Sequence, residues 1–172
     1  MNNQYCYVSA DVLGNFMGDV LFKLGVKRED SDICADVLIS ADKYGIESHG
    51  INRFKAKYYD QIKSGARLTD TNIDIVKDRP NIAIIDAQGG MGHVAGKKAM
   101  EMAIEKGKEV DLGMVVVKNS GHYGFAGYYP LMAVENNMIG ISSTNAVPLV
   151  APTFGVKRMI GTNPIAIGMP SD

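Results

Sequence analysis

The chain has 172 residues, 46% of them hydrophobic, with 18 basic and 19 acidic side chains and a formal charge of -1. That is enough apolar material for one ordinary domain or two small ones, and such a balanced charge offers no broad field to draw nucleic acid or an anionic membrane. No apolar run approaches the roughly 20 residues that span a bilayer, and the polar start lacks the regions of a signal peptide, so a cytoplasmic protein without membrane or nucleic-acid partners is expected.

Ser9 is placed to cap a first helix carrying Val12, Leu13, Phe16, Met17, Val20, Leu21 and Leu24 at helical spacing, with Gly25 as its stop. A second helix starts near Ser31 or Asp32, carries Ile33, Val37, Leu38, Ala41 and Tyr44 on one side, and meets a left-handed stop at Gly45. Cys34 falls among its apolar positions as a buried thiol, and neither it nor Cys6 has metal-ligand spacing. Ser48 then has the right residue type to cap a third helix with Ile51, Phe54, Tyr58 and Ile62 as its stripe and Gly65 as its end. Three helices therefore fill about the first 65 residues.

Near residue 70 the period changes from helical to alternating, which marks a boundary between a helical part, 1–70, and a sheet-forming part, 71–172. Asn72 to Val76 and Ile82 to Ile85 read as a hairpin around Asp78, Arg79, Pro80 and Asn81. A helix over Val94 to Glu109 leads to a strand at Met114 to Val117, and a helix over Phe125 to Glu135 leads to another at Met138 to Ser143. Loop and short strand follow, with a last apolar run from Ile165 to Met169.

Three stretches carry candidate chemistry. Glu47 to Arg53 sets a hydroxyl, an imidazole and a guanidinium side by side, and His49 and Arg53, four apart, share one face if the chain is helical. A histidine that titrates near neutrality and a fork-shaped cation suit protonation of an oxygen beside a carboxylate. The plain alternative is a capping Ser48 with solvated first-turn neighbours. Gly90 to Ala95 matches the G-x-G-x-x-A dinucleotide fingerprint. It lacks the acidic residue expected after the next strand, where Lys118 and Asn119 stand, and the hairpin before it fits poorly with a parallel start, so a glycine-rich helix entry is preferred to a Rossmann site. Asn119 to Tyr128 is either a cofactor loop, whose glycines let backbone approach a ligand, or a tight strand-to-helix turn. His93 has no partner nearby in sequence and reads as structural or surface, and the three histidines are too scattered for a metal site.

Ser48-His49-Gly50 with Arg53, then Asn119 to Gly124, then Thr144-Asn145-Ala146 leading to Val150-Ala151-Pro152, then Gly161-Thr162-Asn163-Pro164-Ile165-Ala166, occur in an order that resembles the malate/L-lactate dehydrogenase family of non-Rossmann fold, which includes sulfolactate and ureidoglycolate dehydrogenases. The resemblance implies an α+β fold, a helical domain beside a mixed, largely antiparallel sheet. It also implies NAD- or NADP-dependent hydride transfer to a 2-oxo acid or from a 2-hydroxy acid, in a homodimer. By the same resemblance His49, oriented by Ser48, is the proton donor, with His122 second in line for that role. Arg53 and Thr162 bind substrate, and His122, Tyr123, Gly124, Phe125 and Ala126 line the nicotinamide cofactor. Family members are about twice as long, and the aspartate that completes their Ser-His-Asp relay lies in a segment this chain does not contain. The chain is therefore expected to be an inactive or partial fragment. The alternative is a non-catalytic dimerisation or nucleotide-binding module.

Overall fold

The computed structural model describes residues 7–171, and Cys6 lies outside them. The fold is α+β, with small mixed sheets, and it divides into two compact units, one ending at Phe125 and one beginning at Ala126.

In the first unit, α1 (Ala10–Lys23) packs against α2 (Arg28–Lys43). Met17 and Leu21 of α1 meet Cys34, Leu38 and Ile39 of α2 in a core that also takes Phe54, Tyr58, Ile62, Met91 and Val94. The expected stripe on α1 is only half buried. Val12 and Phe16 are more than half exposed, because α2 covers only the side of α1 that carries Met17 and Leu21. The second helix begins earlier than expected, at Arg28, with Ser31 inside its first turn donating its hydroxyl to the Lys27 carbonyl at 2.9 Å. Gly25, Gly45 and Gly65 all adopt positive φ, as their reading as helix stops requires.

The third helix is not one regular α-helix. A 3-10 turn over Glu47–His49 leads to α3 (Ile51–Arg53), a π-helical turn over Phe54–Tyr59 and α4 (Asp60–Lys63). Phe54, Tyr58 and Ile62 are four apart, and each step of four over-rotates a 3.6-residue helix by about 40°. The wider π turn takes back part of that excess, so that all three side chains reach the core.

Strand β1 (Asp74–Asp78) pairs antiparallel with β2 (Ile82–Asp86), which confirms the hairpin and adds a bulge between Ile75 and Lys77. From β2 the chain runs through α5 (Gly92–Val110) to β3 (Met114–Lys118), which lies parallel to β2 and completes a three-stranded sheet ordered β1-β2-β3. The hairpin and a parallel crossover thus coexist, contrary to the expectation that one would argue against the other. The second unit holds α6 (Tyr128–Val134) and the antiparallel pair β4 (Gly140–Ser143) and β5 (Ile165–Gly168). A side chain on Gly140 would run into the backbone of Pro130, so glycine lets strand and helix approach.

Candidate functional site

Ser48 does not cap the third helix. Asp42, in the last turn of α2, does: its carboxylate accepts the Ile51 N–H at 2.8 Å. Gly50 makes room for it, since a Cβ there would overlap the Asp42 carboxylate. Released from capping, the Ser48 hydroxyl lies 2.9 Å from Nδ1 of His49. Arg53 Nε donates to the Ser48 carbonyl at 2.6 Å, and Asn52 Nδ2 donates to the Glu47 carbonyl at 3.3 Å. The helix start is thereby laced back onto the turn that carries His49. His49 is half-buried, while Ser48 and Arg53 are exposed.

The loop after β3 brings His122 to the same place. Its ring stacks on that of His49, with centroids 5.7 Å apart and planes inclined by 17°. Behind it the buried Tyr58 hydroxyl stands 2.6 Å from Nδ1 of His122 and 3.2 Å from Nε2 of His93. His93 is wholly buried at the start of α5. Sequence reasoning gave it no partner because Tyr58 lies on another helix; His93 sits in the interior, within this cluster, and not at the surface. In the sequence Tyr58 stands only in a helix stripe, and its residue type at a buried position is the one signal that its hydroxyl needs a partner.

Burial pushes all three imidazoles toward their neutral forms. His93 is brought down to about 3 by desolvation, then by His122 and Arg67, and His122 to about 4 by desolvation, then by His49, Lys57, Arg53 and Arg67. His49 is lowered by desolvation, then by Arg53. Arg53, Lys57 and Arg67 thus surround neutral rings with positive charge, an environment that suits an anionic ligand.

The two glycine-rich stretches pack against each other. A Cβ on Gly92 would strike the carbonyls of Gly121 and His122, one on Gly90 would meet Thr71, and the Met91 N–H is taken by the Thr71 hydroxyl at 3.0 Å. The fingerprint turn ahead of α5 is therefore filled by the protein's own chain and does not fit a pyrophosphate. In the second loop, Gly121 lies against Arg67, and Gly124, at φ +82°, against Val37. Those glycines serve close packing of chain on chain. His122, Tyr123 and Ala126 are half-buried, and Gly124 and Phe125 are buried.

Thr162 belongs to the second unit and is exposed. The segment around it is tied to residues 144–146, with the Ala146 N–H donating to Oδ1 of Asn163 at 2.9 Å and the Thr144 N–H to the Pro164 carbonyl at 3.3 Å. Among the described residues no group of three histidine, cysteine or acidic side chains could hold a metal, and no helix is long and apolar enough to cross a membrane.

The chain belongs to the malate/L-lactate dehydrogenase family, whose model matches residues 8–172. It is 50% identical over 171 residues to a malate dehydrogenase of Pyrococcus abyssi, covering 99% of this chain and 47% of that protein. It is 49% identical over 149 residues to the L-sulfolactate dehydrogenase of Methanocaldococcus jannaschii, covering 87% of this chain and 43% of that one. The malate dehydrogenase structure from Pyrococcus horikoshii superposes with a TM-score of 0.94 at 48% identity, over 99% of this chain and 49% of that one. The chain spans about half the length of the curated relatives it matches.

Proposed function

We propose that this chain supplies the proton-handling and carboxylate-binding half of an NAD- or NADP-dependent oxidoreductase acting on a 2-oxo or 2-hydroxy acid of the malate or sulfolactate kind. The observation that carries it is the stacked pair of His49 and His122 beside Arg53, brought together from two distant stretches in a surround of cations. Family membership and the names of the relatives support the reaction class. In this reading residues 1–70 belong to a helical domain and 71–172 to a cofactor domain. The protein works as a cytoplasmic homodimer.

Bound nicotinamide would supply the hydride. The chain's own residues do the rest. Arg53 holds the substrate carboxylate with the guanidinium nitrogens not engaged by Ser48, and this fixes the carbonyl next to it. His49, after taking up a proton from solvent, passes it to the carbonyl oxygen in the reductive direction and is left as the neutral imidazole its surroundings favour, with Ser48 holding Nδ1 and therefore the ring's orientation. Thr162 contacts substrate, and His122 to Ala126 line the nicotinamide.

In a chain extended to the length of its relatives, His49→Ala should abolish NADH- or NADPH-dependent reduction of oxaloacetate, sulfopyruvate and pyruvate, and Arg53→Ala should raise KM by about a hundredfold, the loss of a charged bidentate contact. Full turnover by His49→Ala would overturn the assignment. Titration of the 172-residue chain with NADH and NADPH addresses the other reading: tight binding that persists without turnover in the extended chain favours a nucleotide-binding module.

A further inference from the structure

The π-helical turn delivers Tyr58 to the back of the two histidines, and the hydrogen-bond pattern there decides where their protons sit. The Tyr58 hydroxyl is 2.6 Å from Nδ1 of His122, and the Gly124 N–H points at the same nitrogen at 3.3 Å. A backbone amide can only donate, so Nδ1 of His122 is the bare, accepting nitrogen and the ring's proton is on Nε2. The hydroxyl's single hydrogen then goes to His122, and its oxygen accepts from Nε2–H of His93 at 3.2 Å. His93 consequently carries no proton on Nδ1, which is the one fully buried side-chain nitrogen or oxygen without a partner among the described residues. An unpaired buried acceptor is a lesser penalty than an unpaired N–H.

From this geometry we propose that Tyr58 is a positioning residue which, backed by His93, holds His122 in the Nε2–H tautomer, so that His122 acts on the substrate oxygen as a neutral hydrogen-bond donor and leaves proton transfer to His49. The proposal deepens the dehydrogenase reading and rests on it for its catalytic consequence, but not for the tautomer. It separates the roles of the two stacked rings. A neutral imidazole that only donates a hydrogen bond polarises a carbonyl without giving up its proton, whereas a second proton donor beside His49 would be redundant. The charged and titratable groups around His122 are consistent with a neutral ring: His49 from the turn before α3, Lys57 and Tyr58 from the π segment, Arg53 from α3, Arg67 from the loop after α4 and His93 from α5. The Arg67 guanidinium also lies over the Tyr58 ring, 5.2 Å from its centroid, which holds the phenol in place from its other side.

The test is nitrogen NMR of the histidine side chains in the 172-residue chain, which needs no turnover. At pH 7.5 His122 is expected to show a protonated Nε2 and a bare Nδ1. Tyr58→Phe should raise its midpoint of titration by about one pH unit and let the two tautomers mix, because the donor that favours the neutral ring is gone. Should Tyr58→Phe fail to fold, incorporation of a fluorinated tyrosine keeps the shape and strengthens the donor, and should lower the midpoint instead. A proton on Nδ1 in the unaltered chain, or an unmoved tautomer and midpoint in whichever variant folds, overturns the proposal. In an extended, active chain Tyr58→Phe should cut kcat about tenfold with little change in KM and shift the acid limb of the pH profile upward. If the extended chain has no turnover at all, the dehydrogenase reading fails while the NMR result still stands or falls alone.

Discussion

At position 50 a hydrogen in place of a methyl group lets the Asp42 carboxylate reach the Ile51 N–H, which in turn frees Ser48 to face His49. The local residue type pointed to Ser48 as the cap, but a carboxylate nine residues earlier does that work through space, which no local window could show. Asp42→Ala should therefore lower stability by about 1 kcal/mol, and Gly50→Ala by at least as much, while Ser48→Ala should change the melting temperature little. Thermal melts of the three variants check this; equal losses in Ser48→Ala and Asp42→Ala would contradict the assignment. His93 makes a second prediction. Its folded-state value of about 3 lies below the ordinary histidine value, so the unfolded chain takes up a proton that the folded one refuses. The stability it contributes is present above about pH 6.5 and is lost as pH falls from there toward 3, at up to about 1.4 kcal/mol per pH unit. Urea midpoints measured at pH 7.5 and pH 5 should drop on acidification, and His93→Gln should flatten that dependence.

Among the elements, the start of α5 shows a motif that was legible and misleading. Gly90, Gly92 and Ala95 match a dinucleotide fingerprint in residue type and sit in a real β2-α5-β3 crossover, yet the space a pyrophosphate would need holds Thr71 and the Gly121–His122 backbone. The glycines are there because loop 119–124 lies directly on the helix start. Gly92→Ala should therefore displace the loop that carries His122 and cost about 2–4 kcal/mol, since all three clashing atoms are backbone. Denaturant unfolding measures the loss, and a near-neutral result would show that the loop can yield. The π turn is the opposite case. The four-residue spacing of Phe54, Tyr58 and Ile62 was visible, but it reads equally well as an ordinary stripe, and only the packed structure shows that the turn widens.

For the whole molecule, the chain spans about half the length of the relatives it matches, and much apolar surface is open. Ile165 and Ile167 on β5, Ile141 on β4, and Val12 and Phe16 on α1 are all more than half exposed. Scattered exposed apolar residues are ordinary, but alternate positions of one sheet face are the kind of patch that binds another surface. Replacing Ile141 and Ile167, which face each other across β4 and β5, by serine is expected to lower self-association of the chain at micromolar concentration. Light scattering reads the outcome, and an unchanged profile in the double variant would refute a role for this face.

The order of the elements was legible in the chain, because periodicity and glycine stops are local properties: the first two helices, the hairpin and the later strands fall within a few residues of where the pattern puts them, and the third helix differs only in its winding. Four short motifs in order also pointed to the family to which the chain belongs. Which groups touch came from the packing. Asp42 with Ile51, His49 with His122, Tyr58 with His93 and His122, and Gly92 with the loop after β3 are pairs from different elements. Their meeting is set by how helices pack over a core, and a linear pattern carries no such distance.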